Sequence, residues 1–79
     1  MAKAFVLINC ELGSEEQVIS DLKSVGCVKK VYGVFGVYDI LTSLECERLE
    51  ELRQMIIWHI RKIKNVCSTI TLLGIEGQC

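Results

Sequence analysis

The sequence contains no proline, a single histidine and only 6% aromatic residues. With no low-complexity stretch, charge run or proline-rich connection to mark a linker, the 79 residues have room for one domain. None of the five cysteines, at positions 10, 27, 46, 67 and 79, forms a Cys-x-x-Cys pair, so zinc-site and thioredoxin-type chemistry lose their signatures. No apolar run approaches the roughly 20 residues that a membrane span needs; the longest stretch free of charge is 65–75. The apolar run after Lys3 breaks at Asn9 and Glu11, too soon for a signal peptide, and the chain is expected in the cytoplasm. An excess of positive charge is missing too. Nine Lys and Arg stand against ten Asp and Glu, and the densest basic cluster, Arg61, Lys62 and Lys64, is what a helix C-terminus attracts, so no direct nucleic-acid partner is expected.

What is present is apolar surface. Half the residues (51%) are hydrophobic and the mean hydropathy is +0.37, high for a small domain whose surface-to-volume ratio demands polar cover. Part of that surplus is expected to meet another copy in a homo-oligomer. The odd cysteine count leaves at least one thiol unpaired; Cys10 and Cys67, inside apolar runs, read as small buried hydrophobes.

Periodicity places six elements. Ala4 to Asn9 reads as a strand with both faces apolar, Ala4, Val6 and Ile8 on one side and Phe5 and Leu7 on the other. Ser14 and Gln17 fit a capping box, opening a helix with Val18, Ile19, Leu22 and Val25 on one face and Gly26 as a left-handed cap. Val28 to Phe35 and Tyr38 to Glu45 read as a hairpin whose two-residue turn is Gly36-Val37. A second helix is expected over 47–62, burying Leu49, Leu52, Ile56, Ile60 and Ile63, and a last strand over 66–76 after a left-handed Asn65. The order βαββαβ implies a ferredoxin-like α+β fold, a four-stranded antiparallel sheet with both helices on one face. The other face is then bare, and pairing two sheets is its simplest cover.

The segments Val34-Phe35-Gly36-Val37-Tyr38-Asp39-Ile40-Leu41 and Val66-Cys67-Ser68-Thr69-Ile70-Thr71 resemble the ligand-binding (RAM) domain of the Lrp/AsnC transcriptional regulators, over almost the whole chain. The resemblance implies a stand-alone form without a helix-turn-helix domain, dimers built through their sheets, rings of dimers that are commonly octamers, and an amino acid bound in clefts between dimers. It implies a role in the transcriptional regulation of amino-acid metabolism, alongside a full-length Lrp/AsnC-type regulator as DNA-binding partner. The ligand-binding positions it carries over are Gly36, Val37, Tyr38, Asp39, Thr69, Thr71, Leu72, Leu73 and Gly74, with no cofactor and no metal. The turn in which the family often has Pro-Gly is here Val25-Gly26-Cys27, and again Lys64-Asn65.

Chemistry supports these positions without settling them. A zwitterion wants a carboxylate, free backbone N–H groups and hydroxyls; Asp39 can accept from an ammonium or simply satisfy its own turn. Thr69 and Thr71 share a strand face, as orienting hydroxyls or as ordinary sheet surface. Leu72 and Leu73 set selectivity or fill core and interface. Phe5 and Leu7 are the candidate interface on the bare face. Trp58 falls opposite the apolar stripe, so with Ile57 it either makes a contact between dimers or lies on its neighbours' alkyl stems. His59 lacks a partner at helical spacing, and Met55 reads as filler.

The rival classes are a small dimeric α/β-barrel enzyme of isomerase or oxygenase type and an ACT-like amino-acid-binding domain. For an enzyme there is no Ser-His-Asp set, no paired carboxylates and no arginine before Arg48 to grip a phosphoryl group, so no catalytic residue is assigned. For RNA, Phe5 and Tyr38 lack basic neighbours.

Overall fold

The computed structural model describes residues 2–34 and 36–73. Its elements are β1 (Ala2–Cys10), α1 (Glu15–Lys23), β2 (Val28–Gly33), β3 (Ile40–Cys46), α2 (Leu49–Met55) with a π-helical extension Ile56–Ile60, and β4 (Val66–Leu73). All neighbouring strands are antiparallel, in the order β2-β3-β1-β4. This is the expected βαββαβ sandwich. α1 lies over β2 and β3 and α2 over β1 and β3.

The period-2 pattern of β1 sorts as expected. Ala4, Val6 and Ile8 are buried under the helices with Ile40, Thr42 and Leu44 of β3, against Val18, Leu22, Leu52, Ile56 and Ile60. Each fully buried aliphatic side chain contributes about 1.5–3 kcal/mol. Phe5 and Leu7 point to the other side, where the single chain leaves them open: Phe5 is 45% exposed. Register puts Leu41 beside Leu7 and Tyr32 beyond Leu41, and Ile70 and Leu72 beside Leu7 and Phe5. The rim of this open face is polar, with a Lys3–Glu45 ion pair of 3.8 Å at one end and Asn9 donating to Ser68 Oγ (3.5 Å) at the other.

Several local expectations are corrected. Ser14 does stand at the α1 N-cap, but no capping box forms: its hydroxyl donates back to the Glu11 carbonyl (2.5 Å), and Gln17 is drawn to Asp21 and Asn65. α1 ends without a left-handed glycine; Ser24 stays right-handed, its N–H donating to the Asp21 carbonyl (3.2 Å) and the Val25 N–H to the Leu22 carbonyl (3.1 Å). The hairpin connection is wider than two residues, because β2 stops at Gly33 and β3 starts at Ile40, with the Val34 N–H closing on the Asp39 carbonyl at 2.9 Å. Gly36, at φ 145°, supplies the backbone that L side chains resist. Phe35 lies outside the described residues.

The second helix is shorter than expected and changes pitch. A π-helical bond from Arg61 N–H to the Ile56 carbonyl (3.0 Å) widens the turn, and Ile56 and Ile60 both stay on the core while Ile57, Trp58 and His59 face solvent. Leu49, expected in the stripe, is exposed, for it opens the helix at the rim of the layer. Asn65 takes the left-handed conformation at φ 73°, as the helix exit requires. Cys67 is exposed rather than buried, because β4 is an edge strand flanking the helical layer; Cys10, on central β1, is buried as expected. Cys27 and Cys46 form a disulfide that the spacing did not announce.

Candidate functional site

The hairpin loop meets the first turn of α1 at one end of the sheet. Between them lies a cleft of about 350 Å³ lined by Glu15, Ile19, Gly33, Val34, Asp39 and Ile40. Two carboxylates share it with apolar walls. Asp39 is held from three directions: its N–H donates to the Ile8 carbonyl (3.0 Å), its carbonyl accepts from Val34, and its Oδ2 accepts from the Cys10 N–H (3.1 Å). One carboxylate oxygen therefore performs the structural task, and the fixed geometry presents the group at the cleft wall. Burial, then the Asp39, Glu15 and Glu11 carboxylates, push the Cys10 thiol above its ordinary value against an opposing hydrogen bond from Ser14, so Cys10 stays protonated beside the cleft.

A second cleft, about 240 Å³, lies across β1 at the start of β4 and is lined by Arg61, Val66, Cys67, Ser68 and Thr69. It is the more polar of the two, with a guanidinium and two hydroxyls. The Cys67 sulfur lies 3.5 Å from Glu11 Oε1, and desolvation together with that carboxylate raises its pKa.

The residues singled out in the sequence are thus spread over three places in one chain. Asp39 lines the first cleft, and Gly36, Val37 and Tyr38 form the loop beside it, with Val37 exposed. Thr69 lines the second cleft; Thr71 follows on the same face, since Thr69 pairs with Ile8 and Thr71 with Val6. Leu72 belongs to the open face and is 54% exposed, while Leu73, on the helix side, is exposed as well and does not enter the core. Gly74 lies outside the described residues. β1 separates Asp39 from the threonines, so no single cavity holds the whole set. Glu15, Ile19, Gly33, Val34 and Ile40 were missed because their meeting depends on how α1 lands on the hairpin; an acid in the first turn of a helix, as Glu15 is, is ordinary dipole complement.

The profile of the Lrp/AsnC ligand binding domain matches residues 3–76. The chain belongs to that family. An uncharacterised HTH-type transcriptional regulator of Pyrococcus furiosus is 32% identical over 74 residues, covering 90% of this chain and 49% of the relative. The chain thus spans about half the length of that relative. Among solved structures, a hypothetical protein of Pyrococcus horikoshii is 35% identical with a TM-score of 0.89, covering 95% of this chain and 90% of its own. A transcriptional regulator of Neisseria meningitidis, solved as an L-Met complex, shares the fold at 10% identity and a TM-score of 0.84, covering 99% and 52%. In this Lrp/AsnC domain, no described helix is long and apolar enough to cross a membrane, and no described cluster of His, Cys, Asp and Glu could hold a metal.

Proposed function

We propose that this Lrp/AsnC domain binds a small amino acid and acts as a sensing and assembly module in the transcriptional control of amino-acid metabolism, in the cytoplasm and without catalysis. The observation that carries the reading is the first cleft: Asp39 and Glu15 offer an ammonium two acceptors, and Ile19, Val34 and Ile40 offer a small side chain an apolar wall. The family supports an effector, and the L-Met complex of the Neisseria relative supports an amino acid as its class.

Among the described residues no cation lines this cleft. The effector's carboxylate must therefore be received by backbone N–H groups of the Gly36 loop or by a neighbouring copy, in which Thr69, Thr71, Leu73 and Gly74 complete the site. Copies pair through the open face around Phe5, Leu7 and Leu72, and dimers join through Ile57 and Trp58 into a ring of the octameric kind. The natural DNA-binding partner is a full-length Lrp/AsnC-type regulator, since the Pyrococcus furiosus relative is an HTH-type transcriptional regulator.

The test is a thermal-shift panel of the twenty amino acids with particle mass measured alongside. A binder at a hundred times its Kd adds about 2.7 kcal/mol to stability, and Asp39→Asn should erase the shift. A panel in which no amino acid moves the melting temperature, or turnover of any of them, overturns the reading.

A further inference from the structure

The Cys27–Cys46 bridge sits at the end of the molecule opposite the cleft, in the link between α1 and β2. From that link the two elements run side by side to the cleft, where α1 contributes Glu15 and Ile19, Gly33 closes β2 and Val34 follows it. They form two arms with their apex at Cys27. β2 is an edge strand with β3 as its one neighbour, and its ladder is irregular between Val28 and Lys30, next to the apex. Besides the bridge, a backbone bond from the Glu45 N–H to the Cys27 carbonyl (2.9 Å) ties the apex to β3. The bridge's two sulfurs are unequal in access: Cys46 is 4% exposed at the bottom of the core, and Cys27 is half-buried.

We propose that Cys27–Cys46 is a reversible redox staple that fixes the α1–β2 arms to β3, and that its reduction frees the start of β2 and weakens the cleft at the far end of the arms. The reductant is a dithiol. One of its thiolates attacks the accessible Cys27 sulfur, the Cys27–Cys46 bond breaks, and Cys46 leaves with the electron pair and takes up a proton. The second thiol of the reductant then attacks the mixed disulfide and releases Cys27, so the dithiol ends as a disulfide and two electrons reside on the cysteine pair. A low-molecular-weight disulfide such as glutathione disulfide reverses the sequence. Cys10 and Cys67, both with raised pKa values, are poor thiolates and do not compete in the exchange.

The staple stands on the disulfide and the topology; its effect on the cleft rests also on the effector reading. The experiment compares glutathione-disulfide-treated and dithiothreitol-treated protein. Peptide mapping of the oxidised sample should find Cys27 joined to Cys46. Without denaturant, β2 amides should exchange with deuterium at least tenfold faster after reduction, and those of β1 should change less; a Cys27→Ala, Cys46→Ala variant should match the reduced state under both treatments. Unchanged β2 exchange, or a loss of protection confined to β1 and β3, overturns the staple, as does failure of glutathione disulfide to form the bridge. L-Methionine should bind the oxidised form several-fold more tightly, and equal Kd values overturn the link to the cleft. Absence of L-methionine binding in both states counts against that link and against the effector reading, while amide exchange still decides the staple.

Discussion

Replacing Phe5 with Glu tests the open face directly. Phe5, Tyr32, Ile70 and Leu72 each keep between 43% and 54% of their surface in water. Since full burial of such a side chain is worth about 1.5–3 kcal/mol, covering the remainder adds about 1 kcal/mol each. Two copies of four such side chains give a gross gain of about 8 kcal/mol, set against an association cost of about 4–15 kcal/mol. These side chains alone only match the cost, so a dimer that holds at micromolar concentration, about 8 kcal/mol net, draws the rest of its stability from Leu7 and Leu41 at its centre and from the contacts around them, and losses at the seam decide it. Phe5→Glu removes about 1 kcal/mol per copy and brings two carboxylates to a seam where each costs several kcal/mol to dry. Even about 4 kcal/mol of that loss corresponds to about a thousandfold rise in Kd. Light scattering at micromolar concentration should find the wild type at a multiple of the chain mass and the variant as monomer with unchanged far-UV circular dichroism. Leu12→Glu, at a residue 98% exposed and outside the face, should keep the wild-type mass. A Phe5→Glu protein that stays assembled, or a wild type that is monomeric, refutes the reasoning.

Removing the bridge by Cys27→Ala with Cys46→Ala releases a loop with a sequence separation of 19, for which chain entropy gives a loss of about 3 kcal/mol; non-reducing calorimetry should show a melting temperature roughly 12–24 °C lower. Thr42 is fully buried between Val6 and Val31 with its hydroxyl unpartnered, so Thr42→Val should raise the urea midpoint by the equivalent of about 1 kcal/mol, and a lower midpoint would mean that the hydroxyl has a use. Raised pKa values leave fewer thiolates at pH 8, so iodoacetamide should modify Cys67 more slowly than glutathione despite its exposure, the gap closing as pH rises; a faster reaction contradicts the assigned environment. Trp58, 56% exposed with the Lys62 ammonium 4.8 Å from its ring centre, should support contact between dimers, so Trp58→Ala should reduce assemblies to dimers, and an unchanged mass removes that role.

The fold was legible because its signals are local and redundant. Alternation in β1, stripe spacing through Val18 and Leu22, and Asn65 at a helix exit each read correctly from a few neighbours. What failed depended on contacts between distant segments. Ser14 and Gln17 have capping-box chemistry, yet Gln17 finds Asn65, 48 positions away, and leaves its own helix end. Cys27 and Cys46 meet because β2 pairs with β3 and the α1–β2 link lands beside the end of β3, a closeness that spacing does not encode. Of the residues lining the candidate cleft, Asp39 stands out in the sequence because its turn carries it, whereas Ile19 and Ile40 look like ordinary core until α1 is docked over the hairpin.

One property of the topology links the misread residues to the assembly. The order β2-β3-β1-β4 puts β4 at an edge, and the two helices lie over the other three strands. Past Val66, which packs against the core, the second half of β4 therefore has two bare faces where β1 has one. Ile70 and Leu72 face the open side, and Thr71 and Leu73 the helix side, where both are exposed. A partner sheet beneath would cover Ile70 and Leu72 and leave Leu73, Ile57 and Trp58 in water. The proposed pairing through the sheets would cover one of two apolar surfaces, and the second, on the helix side of the same molecule, is the one left for the proposed contact between dimers. The polar cleft at Arg61 and Thr69 opens on that flank. A neighbouring copy seated there would bring a guanidinium and hydroxyls toward an acidic cleft that has no cation among the described residues lining it, so that filling the proposed site and closing the proposed ring would draw on the same contact.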